Sequence, residues 1–164
     1  MGKLELVIES DHVSIYSPKY DGETQTEFEK FMSDNGKLEN PQLKKDFDAI
    51  IAAIKKIIDD CGARENLFRP EGNNIKAIPL CIEQRRGKGV GTLRLYCIRI
   101  SGKILIIGNG GIKRVKRYED DPILLDIVNK LRSIEHEIFI GTRKIHADYD
   151  DYQKVKMIIE AISI

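Results

Sequence analysis

Apolar and polar residues alternate over residues 4–9 and again over 12–17, either side of Ser10-Asp11, which predicts two consecutive strands or a short hairpin. Ser17-Pro18 and Asp21-Gly22 close this section with turn chemistry. The period then lengthens. Phe28, Phe31 and Met32, spaced i, i+3, i+4, predict a short amphipathic helix over 23–33, stopped by Asn35-Gly36. Asn40-Pro41 supplies a cap followed by proline at the first helical position. From Leu43 the stripe Phe47, Ile50, Ile51, Ile54, Ile57 and Ile58 carries a helix to about Cys61, with Gly62 as its stop.

After Glu71-Gly72-Asn73-Asn74 the period shortens again. Residues 75–84 read as a strand in which Pro79 points to an edge or a bulge, and 85–91 form a basic, glycine-rich connection. Residues 92–100 and 103–107 are two β-rich runs joined by Ser101-Gly102, a hairpin signal. On the first run Leu93, Leu95 and Cys97 make a core face, which leaves Arg94 and Tyr96 on a wetter surface. The run Gly108-Asn109-Gly110-Gly111 is expected to break the second strand. Asp120-Asp121-Pro122 opens a helix with Ile123, Leu124, Ile127, Val128 and Leu131 on its apolar face. Residues 142–147 are compatible with a strand, and 149–162 with a terminal amphipathic helix that turns Tyr152, Val155, Ile158, Ile159 and Ile162 inward. The whole predicts one α+β domain over 1–164 with an antiparallel sheet, two helices before most of its strands and further C-terminal helices.

Composition narrows the class. With 41% hydrophobic and 32% charged residues the 164-residue chain is too apolar to be disordered. It holds no apolar run near the roughly 18 residues of a membrane span. The opening Met-Gly-Lys-Leu-Glu-Leu-Val lacks the basic-then-apolar order of a secretory signal. Cys61, Cys81 and Cys97 are odd in number and widely spaced, which argues against a disulfide framework or a zinc ribbon. A soluble cytoplasmic protein is the expectation. The net charge of +1 conceals an asymmetry: 8 basic against 13 acidic residues in 1–60, 13 against 5 in 61–120, and 6 against 8 in 121–164. A middle third this basic is a footprint for a polyanion if it folds onto one face.

Candidate chemistry concentrates there. Gly108 to Lys113 fails as a P-loop, because Arg114 follows the lysine, and as a dinucleotide fingerprint, because Lys113 stands where the third glycine belongs. A turn that lets the strand leave the sheet is one reading of this run; a loop that brings backbone near a phosphodiester is the other. Lys113-Arg114-Val115-Lys116-Arg117-Tyr118 is the densest basic cluster, and cations beside an aromatic ring can bind phosphate and stack a base. A solvated strand end is its alternative. For Arg94 the alternative is a half-buried ion pair. His12, His136 and His146 show no metal spacing, and His146 with Asp148 makes only a weak acid–base pair.

The succession of helix, Phe68-Arg69, strand, Leu93-Arg94-Leu95-Tyr96, hairpin, Gly110-Gly111-Ile112-Lys113-Arg114-Val115-Lys116-Arg117-Tyr118 and Asp121-Pro122 resembles the RelE/ParE toxin superfamily, its HigB-like branch above all. The resemblance spans about residues 28–134 as a RelE-like core, with 142–164 as a C-terminal extension, and implies an α+β fold in which the antiparallel sheet is packed by two N-terminal helices. It implies the toxin of a type II toxin–antitoxin system: a metal-independent, cofactor-free and ribosome-dependent mRNA endoribonuclease, held by a cognate antitoxin that can be a helix-turn-helix protein. Carried over by position, Arg94 contacts the scissile phosphate, Lys113 and Lys116 are the basic residues after the last core strand, and Tyr118 stacks on a base. Arg69, Arg85, Arg86, Lys88, Arg114 and Arg117 line the RNA path. The Gly110-Gly111 insertion and the absence of a histidine beside the basic cluster depart from the family pattern. The alternative is a non-catalytic toxin-fold module that engages RNA or an acidic protein partner through the basic face; the ParE-like branch, which does not cut RNA, is a third.

Overall fold

The computed structural model describes residues 2–72, 74–80 and 87–164. Cys81, Arg85 and Arg86 lie outside these, as do the last four residues of the strand expected over 75–84, which within the described residues ends at Ile78. The order is β1 (Lys3–Glu9), β2 (Ser14–Lys19), α1 (Glu27–Asn35), α2 (Pro41–Lys56), β3 (Arg69–Gly72), β4 (Ile75–Ile78), β5 (Thr92–Ser101), β6 (Ile104–Lys113), α3 (Pro122–Lys144) and α4 (Tyr152–Ala161). Local chemistry starts each long helix. The Thr26 hydroxyl and the Glu29 carboxylate form a reciprocal capping box on α1. Asn40 Oδ1 accepts from the Gln42 and Leu43 amides at 2.9 and 3.2 Å, and Asp121 Oδ1 does the same for Ile123 and Leu124. Past α2 the chain makes a π-helical turn (Ile57–Cys61) and stops at Gly62, whose φ of +70° and whose closeness to the Gly102 and His12 carbonyls leave no room for a side chain.

The strands form one six-stranded sheet in the order β1-β2-β6-β5-β4-β3. It is mixed, not antiparallel as the pattern predicted, because β2 runs parallel to β6 while the other pairs are antiparallel. Alternation fixes which side of a strand is apolar and is silent on strand direction. The two N-terminal helices do pack together on one face, where Phe28, Phe31, Leu43, Ile50, Ile54 and Ile57 meet Ile15, Leu93, Leu95, Cys97, Leu105 and Ile107. The opposite face is covered too. There Leu124, Val128, Leu131, Ile134, Ile138, Val155 and Ile159 of α3 and α4 meet Tyr16, Tyr96, Ile98, Ile104 and Ile106. The C-terminal segment is therefore ordinary core packing. Residues 142–147 finish α3 and turn, rather than forming a strand, and Ile123 points to solvent at 72% exposure.

The glycine run neither breaks β6 nor forms a loop: Gly108–Gly111 continue the strand, Gly110 and Gly111 pairing with Leu95 and Arg94 of β5 while Gly108 and Asn109 fall in a register shift. They are small because α3 and β5 come close. Gly108 lies against Leu131 and Gly111 against Leu124, and a Cβ on Gly110 would sit 1.8 Å from the Arg94 carbonyl, beside the register shift at Leu95/Cys97.

One buried hydroxyl ties three elements together. Ser17 Oγ donates to the Ile107 carbonyl at 2.6 Å and accepts from the Phe28 amide at 3.0 Å, linking β2, β6 and the start of α1. Ser17→Ala leaves both groups buried without that partner, and we expect it to lower unfolding stability by about 1–3 kcal/mol in urea titration. A loss below about 0.5 kcal/mol, the ordinary surface range, would mean that the link is dispensable.

Candidate functional site

Register brings three of the middle-third cations onto one face. Arg69 pairs with Ala77, Ala77 with Tyr96, Arg94 lies two residues before Tyr96, and Lys113 pairs with Thr92 two residues before Arg94. In an antiparallel ladder partners share a face, so Arg69, Arg94, Tyr96 and Lys113 project from the side of the sheet that carries α3. The wetter surface expected for Arg94 and Tyr96 is covered: Arg94 is 3% exposed and Tyr96 fully buried. Both faces of β5 are core, so alternation separates two buried sides here instead of a dry side from a wet one.

Arg94 donates from Nη1 to the Pro79 carbonyl at 3.2 Å, while its buried Nε has no hydrogen-bond partner. It therefore keeps donor capacity unspent inside the protein. Burial and the neighbouring Arg69 both press its pKa down, with Glu71 opposing. Burial likewise lowers the half-exposed Lys113 ammonium, again with help from Arg94 and against Glu71. Glu71 sits among these cations, its Oε1 3.8 Å from Arg69 Nε. Burial still holds its carboxyl above the ordinary value, although Lys113, Arg94 and Arg69 pull the other way. Three cations and one half-buried carboxyl group thus share the end of the sheet.

Tyr118 closes the inner side of this group. Its ring meets Tyr96 edge-on with centroids 6.1 Å apart, and its hydroxyl is held by Arg132, whose guanidinium lies 5.8 Å from the ring. At 4% exposure it is not a free stacking platform. A short helical turn (Tyr118–Asp120) folds the aromatic inward, away from the base-stacking role that the resemblance implies for it. Arg114, Lys116 and Arg117 are exposed on the connection that precedes it, and so is Lys88. Arg114 Nε reaches the Gly89 carbonyl at 3.0 Å, which joins the segment carrying Lys88 to the basic run, and Arg117 pairs with Glu119 at 3.3 Å. Arg69, Arg94 and Lys113 are thus brought together, Lys88, Arg114, Lys116 and Arg117 form an outer rim, and Arg85 and Arg86 are outside the described residues.

Sequence reasoning missed Glu71 and Arg132. Arg69-Pro70-Glu71-Gly72 reads as turn chemistry, and the signal that singles out Glu71 is an acid set one strand period from Arg69 inside a basic third. Arg132 lies on α3, where it looks like any solvated helix charge until the helix is docked. Among the described residues no group of three or more His, Cys, Asp or Glu side chains is placed to hold a metal ion, and no helix is long and apolar enough to cross a membrane. No family model, curated protein or solved structure matches this chain.

The raised Glu71 carboxyl has a sign that can be measured. A group protonated more readily in the folded state costs stability as pH rises from its unfolded value through its folded one. Glu71→Gln removes that cost, so its stability relative to the parent chain is expected to improve between about pH 3.5 and about pH 7.5 in urea unfolding. A relative loss at the higher pH would show that the surrounding cations outweigh burial.

Proposed function

We propose that the chain is a ribonuclease of the RelE/ParE-like kind, in the manner of the HigB-like branch, which cuts mRNA on the ribosome in the cytoplasm and is neutralised by a cognate antitoxin. One observation carries this reading: Arg69, Arg94 and Lys113 gather around Glu71 on the sheet face opposite α1 and α2, with an exposed basic rim beside them.

The chemistry follows from the groups present. Glu71, basic for a carboxylate, takes the proton from a ribose 2′-hydroxyl as that oxygen attacks the neighbouring phosphorus. Lys113, half-exposed and with a lowered pKa, meets the phosphate and returns a proton to the departing 5′-oxygen. Arg94, behind it, adds fixed positive charge where the phosphorane gathers negative charge. The products are a 2′,3′-cyclic phosphate and a 5′-hydroxyl. Lys88, Arg114, Lys116 and Arg117 hold the strand by its backbone, a salt-sensitive contact.

The burial of Arg94 and Tyr118 favours a second reading, a binder that uses only the exposed rim and leaves RNA intact. Turnover separates the two. Induction in a bacterial host should arrest growth and create new mRNA 5′ ends that follow the reading frame. Lys113→Ala combined with Lys116→Ala should lower cleavage roughly 10²-fold or more, while a matched circular dichroism spectrum shows that the fold survives. RNA protected and never shortened would leave the binder, and cuts that persist at full rate in the variant would remove this site from the reaction.

A further inference from the structure

A second feature lies along α3, beside Arg132. There the β3–β4 turn, the C-terminal half of α3 and the α3–α4 connection enclose a groove of about 920 Å³. Its lining includes Asn74, Arg132, Glu135, Phe139, Arg143 and Tyr149. Three of these carry binding capacity that the fold does not use. The Tyr149 hydroxyl is buried without a hydrogen-bond partner, a state that costs free energy until an acceptor arrives. Arg143 is exposed, lies 5.5 Å over the Phe139 ring and has no carboxylate partner among the described ion pairs. Phe139 itself is nearly half exposed, an aromatic face at the mouth of a polar groove.

The remaining groups set the chemistry of an occupant. Asn74 Nδ2 donates to Glu135 Oε1 at 3.1 Å, so an amide and a carboxyl group stand side by side on one wall. Burial raises the Glu135 carboxyl and lifts the Tyr149 phenol to about 12, so the phenol stays a proton donor at neutral pH. An occupant must therefore offer an acceptor to Tyr149, a flat ring to Phe139, a polar edge to Asn74 and Glu135, and negative charge to Arg143 and Arg132. A base, its ribose and a phosphate meet all four, and a volume of this order holds a drug-sized ligand. Choosing a nucleotide among aromatic anions rests on the ribonuclease reading; the site itself stands on the groove and its unpartnered groups.

We propose that the groove between α3 and the α3–α4 connection is a binding site for a nucleoside phosphate unit, its base set against Phe139, Glu135 and Asn74, its phosphate on Arg143 and Arg132, and Tyr149 donating to it. The unit is either a free mononucleotide or one nucleotide of an RNA strand that passes Arg132 on its way from the cation group.

Calorimetric titration of the full chain tests this with GMP, AMP, inorganic phosphate and a short 2′-O-methyl oligoribonucleotide that resists 2′-hydroxyl attack. Tyr149→Phe removes an unpartnered buried hydroxyl and is expected to unfold at or above the parent urea midpoint, and Arg143→Gln gives up an exposed charge and its contact with the Phe139 ring at a cost of about 1 kcal/mol or less, so both variants stay folded. Each should weaken binding about tenfold, or ~1.4 kcal/mol. Saturable binding of a mononucleotide that weakens in both variants supports the site with a free ligand, and the same behaviour with the oligonucleotide alone supports it with a strand. Absence of saturable binding by either probe, or affinities unchanged in both variants, would overturn it. Nucleotide binding without mRNA cleavage defeats the ribonuclease reading alone, and cleavage with binding indifferent to Tyr149 and Arg143 defeats the groove alone.

Discussion

The two-sided burial of the β5–β6 hairpin is the constraint on which the rest of this structure depends. Leu93, Leu95, Cys97, Leu105 and Ile107 face α1 and α2, while Tyr96, Ile98, Ile104 and Ile106 face α3 and α4. A hairpin apolar on both sides cannot rest on one layer of helices, because an uncovered face would leave a large apolar area in water. The third layer that α3 and α4 provide is therefore required by the residues of β5 and β6. The glycines of β6 follow from the same demand, since the leucines of α3 reach the sheet only where the strand has no side chain in the way.

That constraint also explains what could be read from the sequence. The helices were legible because Asn40-Pro41 and Asp121-Pro122 cap them locally, and the stripe from Leu43 to Ile57 needs no tertiary information. The β5–β6 hairpin was legible from its turn. Strand direction was not, because the parallel contact between Ser14–Tyr16 and Ile104–Ile106 joins segments with no pattern in common. The glycine run misled for a related reason: glycine marks a turn when chain geometry demands it and a tight helix–strand contact when packing does, and only the docked α3 distinguishes them.

The cation group was legible in part. Arg94 and Lys113 were found by residue type, and the ladder then placed Arg69 beside them. Glu71 was hidden because its importance comes from depth: a carboxyl group in a turn is unremarkable until burial sets it against three cations. Tyr118 shows the reverse case. Its position in a basic run suggested a ring offered to solvent, whereas the turn after Arg117 commits that ring to Tyr96 and its hydroxyl to Arg132. Arg132 thus holds Tyr118 at the inner side of the cation group and also lines the groove along α3.

The parallel pairing of β2 with β6 has a consequence for the order in which the chain is made. The contact joins residues about 90 positions apart, so the N-terminal hairpin leaves the ribosome long before the strand that completes it. At about 5–20 residues per second the wait is roughly 5–20 s, far longer than the microseconds in which a hairpin forms. Throughout that interval one edge of β2 and the apolar side chain of Ile15 have no sheet to join. The nascent chain is therefore most exposed to mispairing and to chaperone capture before β6 emerges.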